Sequence, residues 1–88
     1  MGVADLFARL PVGWSEVVYR GRRWSVTRTV QHGGRVEKLW AEELGGRAVV
    51  SANLYLVSAG EQLRPCEMPV SVVLDFLTGW APVPADSA

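Results

Sequence analysis

Eighty-eight residues, 49% hydrophobic and 20% charged, suit one globular domain with a small core, since a chain this short buries only roughly 60–65% of its unfolded surface. That composition excludes disorder, and nine basic against nine acidic residues exclude nucleic-acid binding by bulk charge. No stretch reaches the ~20 apolar residues of a membrane span, no leader is expected, and a lone Cys66 allows no internal disulfide and fits a cytoplasmic setting.

In chain order, Val3, Leu6, Phe7 and Leu10 recur at helical spacing, which predicts a short amphipathic helix over residues 3–10, ended by Pro11. Its apolar stripe must meet either its own sheet or a partner subunit. Residues 14–64 then read as an antiparallel sheet. The first strand runs from Trp14 to Arg20, with a tight turn at Gly21-Arg22. In the second, Trp24, Val26 and Val30 share one face, and Arg23, Ser25, Thr27 and Thr29 line the other. Gln31 to Gly34 forms the next turn. In the third strand Val36, Lys38, Trp40 and Glu42 alternate with Glu37, Leu39, Ala41 and Glu43, and neither face is plainly the buried one. Ala48 to Val57 is the most β-prone stretch, with Val50, Ala52, Leu54 and Leu56 on one side. Glu61 to Arg64 makes a short strand that Pro65 confines to an edge.

Pro69 suits the first position of a helix, and Val70, Val73, Leu74 and Leu77, widened by Phe76, give that helix a buried stripe ending near Gly79. The tail over residues 82–88 is expected to be loose. The predicted fold is therefore α+β: a twisted antiparallel β-meander of four to five strands, packed by a C-terminal helix, with a short N-terminal helix. Trp24, Val26, Leu54, Leu56, Val73, Leu74 and Leu77 are the predicted core.

Cys66 is the one candidate nucleophile. It precedes a helix N-terminus and follows Arg64, both of which favour a thiolate, while Glu67 opposes it. The competing reading is a small apolar plug at the strand-to-helix corner. His32 stands in a glycine-rich turn, and one Cys plus one His is too few for structural zinc, so neither metal nor cofactor is expected. Arg23, Thr27, Arg35, Lys38 and Tyr55 are the candidate binding set, because basic, hydroxyl and aromatic groups on one sheet face suit single-stranded nucleic acid. Arg20, Arg22, Arg23 and Arg28 crowd one stretch and Glu37, Glu42 and Glu43 the next, as in a hairpin with opposite charges on neighbouring strands. Four Trp residues are more than so small a core can centre on, which makes Trp14, Trp40 and Trp80 candidates for an interface.

Three stretches carry a resemblance: Gly21 to Thr29, Lys38 to Gly46, and Leu63 to Pro69. Through them the chain resembles a family of short bacterial proteins, some of which are labelled peptide methionine sulfoxide reductase. On that label the reactive thiol is Cys66, although neither the glycine-cysteine-phenylalanine-tryptophan loop nor the zinc-binding cysteine pairs of the reductases occur here. More remotely, strands followed by one helix, with Gly60 to Pro65 as a turn before it, are similar in layout to the single-strand-binding domain of the positive-cofactor transcriptional coactivators. That resemblance implies a dimer. The expectation is a non-catalytic binding module, homodimeric and with protein partners. Single-stranded nucleic-acid binding is the alternative, and a thiol-dependent reductase or redox sensor acting through Cys66 is the second.

Overall fold

Segments of period-two alternation joined by loops too short for a crossover can only pair with their neighbours in antiparallel fashion. The computed structural model describes residues 2–84 and follows that rule. The described residues form helix α1 (Val3–Ala8), strands β1 (Gly13–Tyr19), β2 (Arg22–Gln31), β3 (Val36–Glu43), β4 (Val49–Val57) and β5 (Gly60–Pro65), helix α2 (Val70–Gly79) and a two-residue strand β6 (Ala81–Pro82). The sheet order is β5-β4-β3-β2-β1-β6 and every pair is antiparallel.

The expected α+β meander with its two helices is what the chain adopts, with several local corrections. The first hairpin turns on Arg20-Gly21, one residue earlier than expected. Tyr19 pairs with Arg22, and both turn residues have positive φ, 52° and 73°, the twist a two-residue hairpin needs. Gly60 to Pro65 is a paired edge strand, as the reading of Glu61 to Arg64 expected, and not the turn that the layout resemblance implied. Pro69 caps α2 from just outside it. A sixth strand forms at the start of the expected loose tail: Pro82 pairs with Val17, and Ala81 before it with Val18. Residues 85–88 of the expected tail lie outside the described residues.

Both helices pack on one face of the sheet. Leu6, Phe7 and Leu10 from the N-terminal segment meet Val73, Phe76 and Leu77 of α2 over Val17, Tyr19, Trp24, Val26, Leu39, Ala41, Val50, Ala52 and Leu54. The stripe of α1 is thus buried within its own chain. Leu56 and Leu74 are only partly buried, and Val70 is exposed, because α2 turns Phe76 rather than Leu74 toward the sheet. Tyr19, Trp24 and Phe76 make an aromatic trio with centroid separations of 5.6, 4.9 and 5.4 Å.

Polar groups pin α1 at both ends. The Glu61 carboxylate accepts the N–H groups of Val3 and Ala4, each at 2.9 Å, and so satisfies two donors that a helix start leaves open. At the other end Arg28, on the covered face, donates to Glu37 at 2.8 Å and to the Leu10 carbonyl at 2.8 Å. Glu37 is only 6% exposed, so this is a buried ion pair holding the α1–β1 connection against the sheet.

The Tyr19 hydroxyl donates to Asp75 of α2 at 3.0 Å, and Arg20 pairs with the same carboxylate. Burial above all, and then this hydrogen bond, raise the Tyr19 pKa above its ordinary 10.0. The phenolate is therefore disfavoured in the folded state, and the unfolded chain ionises first as pH rises. The stability linked to Tyr19 is complete below pH 10.0 and is lost as pH climbs from there through the folded-state pKa. Denaturant midpoints measured across that window should fall, and Tyr19→Phe should flatten the fall. An unchanged slope in that variant would contradict the assignment.

Candidate functional site

With both helices on one side, no described helix or strand covers the other face of the sheet, the bare face. Strand pairing sorts its residues into rows that run across the strands. The central row is Trp14, Thr27, Trp40 and Ser51, continued by Cys66, whose N–H donates to the Ser51 carbonyl at 3.0 Å. Toward one end lies the row Glu16, Ser25, Glu42 and Val49. Toward the other lies Thr29, Lys38, Asn53 and Arg64, followed by Gln31, Val36, Tyr55 and Gln62.

The central row is the unusual one. Trp14 is 66% and Trp40 49% exposed, and their backbones stand two strand spacings apart, roughly 9–10 Å, with the small, exposed Thr27 between them. The indole N–H of Trp40 donates to the Glu42 carboxylate. Two exposed indoles in one row of a mixed polar and apolar sheet face mark a contact surface.

Of the expected binding set, Arg23, Thr27, Lys38 and Tyr55 do share this face. Arg35 does not: it sits in the turn between β2 and β3, donating to the His32 carbonyl at 3.1 Å. Arg23 is held by Glu16 at 2.9 Å, so its charge is partly cancelled. Trp80 is separated from Trp14 and Trp40. It packs against the core on the helix side of the sheet, with the Arg9 guanidinium 5.6 Å from its ring centroid. Glu16, Glu42 and Arg64 also belong to the face. Their strand phase carried the signal, since each stands two residues from another member of the face.

Cys66 is exposed, so it is not the buried plug its position suggested. It lines an open cleft of about 450 Å³ with Trp40, Val49, Ser51, Glu67 and Met68. His32 lies at the far end of the sheet. From the level of Trp40 to that of Val36 is four residues along β3, roughly 13 Å, so the turn does not fold over the cysteine. Among the described residues no three His, Cys, Asp or Glu side chains gather as a metal site, and no helix is long and apolar enough to cross a membrane.

The edge strands end in proline, β5 in Pro65 and the two-residue β6 in Pro82, which limits ladder pairing at those ends. β6 covers only Val17 and Val18 of β1. No family model, no curated protein and no solved structure matches this chain.

Proposed function

We propose that this chain is a small, non-catalytic interaction module that binds a protein surface through the bare face of its sheet. The observation that carries the reading is the pair Trp14 and Trp40, exposed in one row that crosses that face from its β1 edge. Large aromatic side chains surrounded by polar groups supply most of the energy of protein contacts. Both helices already have partners within the chain, and each edge strand ends in proline, which favours the face as the contact surface.

Single-stranded nucleic acid is the second reading, favoured by Lys38 and Arg64 in one row with Tyr55 in the next. Against it stand Glu16 and Glu42 on the same face. Arg23 is tied to one of them, and a chain of zero net charge lacks the long-range attraction behind most nucleic-acid affinity.

A benzophenone side chain at position 27, between the two indoles, tests the choice in the native cell. Adducts that proteases destroy and nucleases spare are expected. Adducts sensitive only to nuclease, or no adduct while the protein stays folded, would end the protein-binding reading.

A further inference from the structure

We propose that the partner on this face is a second copy of the chain, packed sheet to sheet about a two-fold axis that runs across the strands at the level of Trp40. This rests on the reading of the face as a protein-binding surface and goes further by naming the occupant. A two-fold interface has to complement itself: whatever one copy presents, the same patch of the other must accept. Few surfaces meet that condition, and the charge order along β3 does.

On the bare face β3 presents Lys38, Trp40 and Glu42 in succession, a cation, an indole and an anion at steps of two residues. An axis through Trp40 and perpendicular to β3 reverses the strand direction in the second copy. It sets Trp40 over its own image, Lys38 against the partner's Glu42, and Glu42 against the partner's Lys38. An axis parallel to the strands would instead set Glu42 over Glu42 and Lys38 over Lys38. Only the first arrangement pairs opposite charges, so the order of charges selects the axis.

The remaining rows agree with it. Thr27 meets its own image beside Trp40, and Trp14 lies over Trp14 on the same line. Ser25 of one copy faces Thr29 of the other, and Val49 faces Asn53, so no further like charges are opposed. Within the described residues neither Lys38 nor Glu42 has an ion-pair partner, whereas Arg20, Arg23 and Arg28 each have one. Packed sheets cross at about 30° and lie about 10 Å apart. At two residues from the axis, roughly 6–7 Å, that rotation moves the charges about 3–4 Å off register, a distance the Lys38 and Glu42 side chains span.

Sedimentation of the wild-type chain and three variants tests this, with circular dichroism as a check on folding, which these exposed positions should not disturb. The wild type should sediment at twice its 9.6 kDa chain mass. Lys38→Glu alone, or Glu42→Lys alone, opposes like charges at both contacts and should weaken dimerisation by ~100-fold or more. A one-to-one mixture of the two single variants should form a heterodimer, since both contacts again pair opposite charges, and the double variant should dimerise with itself. A wild-type chain that stays monomeric at about 100 μM would overturn the proposal. So would single reversals that change the affinity by less than about threefold, the scale of an ordinary surface pair, or a mixture that fails to associate. The cross-link at position 27 separates this from the broader reading. Adducts to a different polypeptide alongside a monomeric wild type would sink the dimer and leave the face a protein-binding surface.

Discussion

Phe76→Ala should lower the urea midpoint of this domain by about 3–5 M. Phe76 is fully buried, and its ring is in contact range of both Tyr19 and Trp24. Truncating a buried phenylalanine costs about 3–5 kcal/mol, and the lost edge-on ring contacts account for part of it. A domain of this length has on the order of 4–13 kcal/mol of stability in all. With a urea slope near 1 kcal/mol per molar at this size, the loss takes most of the transition with it, and a substantial unfolded population is expected even without denaturant. Val72→Ala serves as the control, because Val72 lies on the same helix and is 39% exposed. Fluorescence-monitored unfolding decides the matter. A Phe76→Ala midpoint within about 0.5 M of wild type would mean that the trio is not the centre of the core.

Glu37→Gln should cost nearly as much, for a different reason. Its carboxylate is the partner of Arg28 in a place where both side chains are largely removed from water, 8% and 12% exposed. Removing one member of a buried pair strands the other, at a cost of about 3–5 kcal/mol, whereas an exposed pair such as Arg20 with Asp75 is worth about 0–1 kcal/mol. Replacing both members with apolar residues of similar size, Arg28→Met with Glu37→Leu, should come out close to wild type or above it. A double-mutant cycle in denaturant measures the coupling. Raising the salt concentration should leave the cost of Glu37→Gln largely intact, because buried charges are poorly screened. A loss below about 1 kcal/mol, or one that vanishes in salt, would show that the pair behaves as a surface contact.

That pair also shows where sequence reading reached and where it stopped. The alternation in β2 and β4 put Trp24, Val26 and Val30, and Val50, Ala52, Leu54 and Leu56, on one side; five of the seven are buried, whereas Leu56 is partly buried and Val30, at the strand end, is 38% exposed. In β3 one phase offers Val36 and Trp40 and the other Leu39 and Ala41, each with two charges, so hydrophobicity alone does not choose. The choice is made across strands. Arg28 falls in phase with Trp24 and Val26, and Glu37 in phase with Leu39 and Ala41, so a charge of each sign faces the same way on neighbouring strands. Burying them together neutralises both, and Trp40 is turned outward as a consequence. The stripe read on the C-terminal helix included Val70 and Leu74, which the structure leaves exposed and partly buried, because Leu74 and Phe76 compete for the sheet and the packing of Tyr19 and Trp24 decides for Phe76. The sixth strand had no periodic signal at all, two residues being too few to show one. On the bare face, four of the five expected binding residues came together because strand phase is a two-residue rule. Arg35 dropped out because it sits in the turn, where that rule does not apply.

The clamp on α1 bears on how this protein is made. The helix at the start of the chain takes its N-terminal hydrogen bonds from Glu61, 57 and 58 residues downstream, and its stripe rests partly on α2, which is later still. At roughly 5–20 residues per second on the ribosome, α1 waits several seconds for the groups that hold it, and a helix of six residues does not persist alone in water. A segment that emerges ahead of its partners thus settles only with them. A nascent chain stopped before Glu61 leaves Leu6, Phe7 and Leu10 open to whatever the cell offers, chaperones included.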